Sequence, residues 1–213
     1  MLNTNRNKQR NKQLSKIGVD WVFVGDGPRE GIAYRHAISH PEQKVIVIDP
    51  LNQEYDSPPN LRYIQMDALS WLKSRPGESV SNVRDDFAVE PITYRCASSD
   101  MVKQAIITGD VLRAYCEAVL HKKSFPKGTP NIRKNRDLYV GLIHKVLRPN
   151  GKFVLTTNFM KNVGYIDELL IKRGFAVKIE ELDEEQIINY ESSMAICSFK
   201  EGEKVYKIIA TKH

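Results

Sequence analysis

The chain opens its ordered pattern with two unbroken apolar runs, 21–24 (Trp-Val-Phe-Val) and 45–48 (Val-Ile-Val-Ile), with apolar residues more widely spaced between them. Short apolar runs bounded by turn residues fit strands buried on both faces. Two parallel strands need a crossover, and residues 28–39 are expected to be the helix that supplies it. Gly25-Asp26-Gly27 makes the tight turn between the first strand and the helix, and Asp49 closes the second strand. Residues 20–50 are therefore expected to form a βαβ unit around which the chain is organised.

A polar, proline-bearing loop at 52–60 leads to a third strand over 61–66, which ends at Asp67-Ala68. Asp67 suits the N-cap of a helix over 68–73. The periodicity then fades. Residues 77–86 are polar and expected to be a loop, 87–92 read as a strand, and 101–119 show helical patches interrupted by Gly109. A fourth strand is expected in this region, with 118–121 as its candidate. From Asp137, Leu138, Leu142, Ile143, Val146 and Leu147 follow helical spacing until Pro149-Asn150-Gly151 stops them. Residues 152–157 read as a buried strand, 164–173 as a helix closed by Gly174, and 175–179 as a further strand. The acidic run 180–185 is expected to be solvated, and 193–199 with 205–211 to form a closing β-hairpin. The fold class is α/β, a doubly wound, mostly parallel sheet with helices on both faces and an antiparallel edge.

Length and composition narrow the picture. The 213 residues suit one domain over 17–213, with a variable insertion around 75–120. Residues 1–16 carry Arg6, Lys8, Arg10, Lys12 and Lys16 without an acid, which suits a flexible basic arm. The net charge of +6 favours a polyanionic partner without requiring one. Cys96, Cys116 and Cys197 are odd in number and far apart, which implies neither a zinc site nor a disulfide framework. No apolar run reaches membrane-spanning length and no secretory signal is seen, so a cytoplasmic setting is expected. His36 and His40 are four apart, but with no third ligand nearby they are read as solvent-facing and no metal is expected.

The βαβ unit is where chemistry is expected. Glycines let the backbone approach a ligand, a helix start offers free N–H groups, and an acid ending the second strand can grip a ribose diol. Ligands of open α/β sheets bind outside the carboxyl ends of the strands, which places Asp67 on the same rim as Gly25 and Asp49. The Asp67 carboxylate beside the Ala68 N–H suits the amino group and ring nitrogen of an adenine. In Gly25-x-Gly27-x-x-x-Gly31 the third glycine comes one residue later than in dinucleotide sites, which favours S-adenosylmethionine over NAD. A plain alternative is that these glycines only make a turn. Between 121 and 148, Lys122, Lys123, Lys127, Arg133, Lys134 and Arg136 flank a Pro/Gly loop and suit a phosphate backbone, with a solvated basic face as the alternative.

The Gly25-Asp26-Gly27 turn, Asp49, Asp67-Ala68 and the helix leading into Leu147-Arg-Pro-Asn-Gly-Lys-Phe-Val-Leu155 together resemble a class I S-adenosylmethionine-dependent methyltransferase. The second half resembles the tRNA (guanine-N7) methyltransferases. Phe125-Pro126-Lys127 with Arg133-Lys134-Asn135-Arg136 is similar to that family's W-P-K loop and basic run, and Thr156-Thr157-Asn158 to its T-D-N. Tyr190-Glu191, Gly202 and Val205-Tyr206 are similar to its closing pattern. Three positions depart from it. Phe23 replaces an acid, Lys123-Ser124 stand where an aspartate precedes W-P-K, and Thr157 replaces the T-D-N aspartate.

The resemblance implies a Rossmann-like fold and S-adenosylmethionine as cofactor. It puts Gly25 and Gly27 at the methionine moiety, with Asp26 between them also in the cofactor site, Asp49 at the ribose, and Asp67 beside Ala68 at the adenine. It also implies that Glu191 helps hold the target base while the basic loop holds RNA, with tRNA the model substrate. A small-molecule or protein substrate is one alternative. A catalytically degenerate RNA-binding module is another, motivated by the missing acids, and a dinucleotide oxidoreductase comes last.

Overall fold

The computed structural model describes residues 18–25, 31–49, 56–86, 132–157, 160–191 and 204–213, of which 132–135, 160–165 and 188–191 by their helical backbone alone. Seven strands form one sheet: β1 (Val19–Val24), β2 (Val45–Asp49), β3 (Leu61–Gln65), β4 (Val80–Asp86), β5 (Leu147–Thr157), β6 (Phe175–Glu181) and β7 (Tyr206–Lys212). Their spatial order is β3-β2-β1-β4-β5-β7-β6. Strands β1 to β5 pair in parallel, and β7 runs antiparallel between β5 and β6. The described helices are α1 (Ile32–Ser39), α2 (Ala68–Ser74), α3 (Ile132–Val146), α4 (Met160–Lys172) and α5 (Glu184–Glu191). None is long and apolar enough to cross a membrane.

Alternation along the central strands divides the core between two faces. Val22, Val24, Ile48, Val83, Phe153, Leu155 and Ile208 pack with Leu69, Trp71 and Leu72 of α2, Tyr139 and Ile143 of α3, and Leu170 of α4. On the other face Phe23, Val45, Val47 and Leu61 pack with Ala33 and Ala37 of α1. Those alanines, one helical turn apart, let α1 lie close to the sheet. The end of α4 is closed as the sequence suggests. Gly174 has φ +87°, its N–H donates to the Ile171 carbonyl at 2.9 Å, and the Arg173 N–H donates to that of Leu169 at 3.1 Å.

Several expectations are corrected. Residues 77–86 are not one loop, because 80–86 form β4, central in the sheet between β1 and β5. Its polar residues find partners there. The Asn82 Nδ2 donates to the Asp20 carbonyl at 3.2 Å, and the Arg84 Nε donates to Asp86 at 2.6 Å. The candidate strands at 87–92 and 118–121 lie outside the described residues, as do the three cysteines. The crossover helix is not continuous over 28–39, because Gly31 is extended (φ −58°, ψ 178°) and caps a helix that starts at Ile32. Residues 28–30 lie outside the described part. Pro149-Asn150-Gly151 falls inside β5, where the register with β4 jumps from Val80↔Leu147 to Asn82↔Lys152, a bulge with Asn150 at φ +63°.

The closing hairpin is also revised. Both edges of β7 are taken, by β5 and β6, so the antiparallel strand is next to the edge and its hairpin-like partner is β6. Residues 193–199 are outside the described part. Within the acidic run, Glu180 and Glu181 belong to β6, while Asp183 caps α5. The Gln186 N–H donates to Asp183 at 2.8 Å and the Asp183 N–H donates to the Gln186 Oε1 at 3.0 Å, a reciprocal capping box. His36 and His40 are half-buried, not solvent-facing, and their rings stack at 4.3 Å. Trp21 and Phe23 flank His36, and burial pushes its pKa down. Among the described residues no three His, Cys, Asp or Glu side chains gather around a common point.

The bulge in β5 yields a test. A Cβ on Gly151 would stand 2.6 Å from the Ser81 carbonyl oxygen and 2.8 Å from that of Arg148, both backbone atoms that cannot move aside. Gly151→Ala is expected to destabilise the fold by about 1–3 kcal/mol in urea denaturation. Gly77→Ala, where the nearest atom is 3.4 Å away, should change it by under about 0.5 kcal/mol.

Candidate functional site

The order β3-β2-β1-β4-β5 reverses direction between β1 and β4, and such a switch point opens a crevice at the carboxyl ends of the strands. Gly25 follows β1 there with φ +70°, a conformation that glycine adopts without strain. Its N–H donates to the Ile48 carbonyl at 3.0 Å, which ties the start of the turn to β2. Asp49 ends β2 half-buried, and its carbonyl accepts the Met66 N–H at 3.1 Å. Asp67 is exposed at the end of β3, where its Oδ1 accepts the Ser70 N–H at 2.9 Å. The N-cap expectation for Asp67 is met, and Ala68 opens α2 with its side chain buried. Gly25, Asp49, Asp67 and Ala68 thus share one rim. Asp26 and Gly27 lie outside the described residues.

Across the switch point lie groups that the sequence did not single out. Asp85 is fully buried at the end of β4, beside Val24 of β1, and accepts the Tyr139 hydroxyl at 2.6 Å. Burial and the neighbouring carboxylate push the Tyr139 phenol well above its ordinary pKa, so it stays a donor. Asp86 points to the other face. It accepts the Thr156 hydroxyl at 2.6 Å from β5 and pairs with Arg84 at 2.6 Å. The doublet Asp85-Asp86 behind Val80 and Val83 was the available signal, hidden because Ser81, Asn82 and Arg84 around those valines leave neither a continuous apolar run nor an alternating one.

The basic loop is only partly within reach. Lys122, Lys123 and Lys127 lie outside the described residues. Arg133 and Lys134 lie in the first turn of α3, of which the backbone alone is described. That helix runs down from the rim: Tyr139 reaches Asp85 near the top of β4, while the Lys145 carbonyl accepts the Glu78 N–H below its start. Arg136, one turn above Tyr139, is only 8% exposed and so is not part of a solvated face. Glu191 ends α5, its side chain outside the described part. The connection that carries it departs from and returns to the same rim, since Glu181 at the end of β6 pairs with Tyr206 at the start of β7.

No protein-family model matches the chain, and neither does any curated protein. Solved structures do resemble it. A structure described as an antibiotic-related methyltransferase aligns with TM-score 0.54 at 13% identity, covering 96% of this chain and 93% of that one. A 16S rRNA (adenine(1408)-N(1))-methyltransferase from Catenulisporales acidiphilia, determined as a mutant, gives 0.50 at 14% identity, with 97% and 90% covered. A 30S ribosomal A1408 methyltransferase from an uncultured bacterium gives 0.50 at 11%, with 98% and 94% covered. At such identities the likeness is one of architecture. The chain has the class I, Rossmann-like methyltransferase fold.

The buried Tyr139–Asp85 pair couples α3 to the floor of the rim. Tyr139→Phe should cost about 1–3 kcal/mol in chemical denaturation, because it takes a donor from a buried carboxylate while conserving ring volume. A loss under about 0.5 kcal/mol would show that the pair contributes little to the fold.

Proposed function

We propose that this protein is an S-adenosylmethionine-dependent methyltransferase that acts on RNA, with tRNA the first substrate to try. The observation that carries the cofactor assignment is the chemistry of the rim at the β1/β4 switch point. A left-handed glycine there is flanked by carboxylates on successive strands, Asp49 half-buried and Asp67 exposed. Carboxylates accept hydrogen bonds, so this rim suits a ligand rich in donors: a ribose diol, an adenine amino group, an ammonium. The pyrophosphate of a dinucleotide would bring further negative charge to the same place.

Residues fit the cofactor one by one. Gly25 ends β1 where a methionine moiety would pass and already has the conformation that a close approach needs, with Asp26 and Gly27 following it in sequence. Asp49 would accept from the ribose hydroxyls. Asp67 uses one oxygen as the cap of α2, leaving the other toward the adenine amino group, beside the Ala68 N–H of the first helical turn. Once bound, the cofactor supplies a methyl group on a sulfonium, a leaving group that needs no protonation. The chain's task is then to orient the nucleophile and exclude water. Asp85 and Thr156, both buried, and the half-buried Asp86 lie under the far side of the crevice and hold β4, β5 and α3 together there, and Glu191 is assigned to the target base.

The RNA assignment draws on two further features. The basic run Lys122, Lys123, Lys127, Arg133 and Lys134 leads into α3, whose first turn lies toward the rim. Of the solved structures with this fold, one carries a 16S rRNA methyltransferase name and another that of a 30S ribosomal A1408 methyltransferase.

Calorimetric titration with S-adenosylmethionine and S-adenosylhomocysteine tests the cofactor assignment. Micromolar binding is expected, and Asp49→Ala should weaken it roughly 10-fold to 100-fold, the loss of hydrogen bonds to a charged acceptor. Unchanged affinity in Asp49→Ala would remove that residue from the ribose site.

A further inference from the structure

The opposite end of the sheet, where the parallel strands begin, gathers positive charge. Arg75 after α2, Lys145 at the end of α3, Arg148 in the β5 bulge and the buried Lys212 at the end of β7 are connected through the loop that carries Glu78, and Arg62, exposed near the start of β3, lies close enough for its charge to act on Arg75. The Lys145 Nζ donates to the Arg75 carbonyl at 3.1 Å. Arg148 donates from Nε to the Glu78 carbonyl at 3.4 Å and from Nη1 to the Ser81 hydroxyl at 3.2 Å. The Lys212 Nζ donates to the Leu147 carbonyl at 2.8 Å.

These acceptors are neutral, so they orient the cations without cancelling their charge. Carboxylates at this end are Glu78, 3.6 Å from Lys212, and the exposed Glu42 just before β2. Asp20, at the same end of β1, already accepts the Lys44 N–H at 2.9 Å. Like charges bear on one another here. Arg75 has its pKa lowered by burial and by Arg62, and His144 by burial and by Lys212 and Arg173.

A second observation falls on the same loops. Among the described residues, the non-glycine positions with left-handed φ are Glu78 (+55°) and Asn150 (+63°). Asparagine tolerates that region, whereas glutamate adopts it at a cost. Such strain persists where surrounding contacts over-determine it, and it concentrates at sites that bind. Here it holds the Glu78 carbonyl toward Arg148 and its N–H toward the Lys145 carbonyl, at 3.0 Å.

We propose that this end of the molecule is a second docking surface for the phosphate backbone of the RNA substrate, separate from the rim that binds the cofactor. Lys212 is buried and points inward, and three of the other four cations are arginines, whose planar guanidinium matches two phosphate oxygens at once. The two surfaces are a strand length apart, about 20 Å for six residues at 3.3 Å each. A ligand that touches both is therefore a folded macromolecule, and a metabolite-sized acceptor would leave this end unused. The proposal rests on the RNA reading of the substrate.

The test is fluorescence anisotropy of labelled tRNA across a salt series, without cofactor. It compares wild type, Arg62→Gln/Lys145→Gln, and a control of equal net charge, Lys178→Gln/Lys204→Gln, at exposed positions on β6 and just before β7. Arg62→Gln alone, at an exposed site, serves if Lys145→Gln lowers the melting temperature. Each lost phosphate contact lowers the slope of log affinity against log salt by about 1. The patch variant should therefore lose about 2 from that slope and bind more weakly, while the control keeps the wild-type slope. Equal slopes in all three proteins, or equal losses in both variants, would overturn the patch alone. Failure of the wild-type protein to bind tRNA at low salt would overturn the patch together with the RNA reading.

Discussion

A parallel strand buried between two neighbours must pair its backbone groups on both sides, and β1 is held this way by β2 on one side and β4 on the other. The chain reaches β2 through α1 on one face, and α3, the next described element after β4, packs on the other. The connections therefore diverge at the carboxyl ends of β1 and β4, and a crevice opens between them. Everything assigned to the rim depends on that divergence. Gly25 turns the chain away at its mouth, Asp49 and Asp67 stand on one side at the ends of β2 and β3, and β4 ends on the other with Asp85 buried beneath the rim.

How the core accommodates a strand as polar as β4 follows from the same constraint. Val80 and Val83 face α2 and α3, while Asn82, Arg84 and Asp86 are matched one by one with Asp20, each other and Thr156. Asp85 enters the apolar face but brings Tyr139 with it. Buried polar groups that are fully partnered specify position as well as stability. The Tyr139 contact also fixes the height of α3 on the sheet, which carries its first turn toward the rim and Lys145 toward the opposite end. Asp49 and Asp67 thus stand at one end of the strands, and Arg62, Arg75, Lys145 and Arg148 at the other.

Much of this was legible in the residues. The apolar runs at 21–24 and 45–48, Asp49, the Asp67 cap, the helix into Leu147 and the Gly174 stop all come from local rules of period, cap and turn, which operate on neighbours in sequence. What escaped depends on partners far along the chain. A strand reading Val-Ser-Asn-Val-Arg-Asp-Asp lacks both continuous apolarity and alternation, and its partners on β1, β5 and α3 appear only in the fold. The antiparallel strand was visible as a strand, but its place between β5 and β6 is a matter of topology that no local pattern encodes. The half-buried His36 was misplaced because its cover, Trp21 and Phe23, comes from a different element.

The central claim is that the crevice at the carboxyl ends of β1 and β4 holds an adenosyl group. A crystal structure of the protein with S-adenosylhomocysteine tests it most directly. The account predicts the ribose hydroxyls within hydrogen-bond distance of Asp49, the adenine amino group beside Asp67 and the amino-acid portion over Gly25. Density for the ligand elsewhere, or none at a saturating concentration, would contradict it.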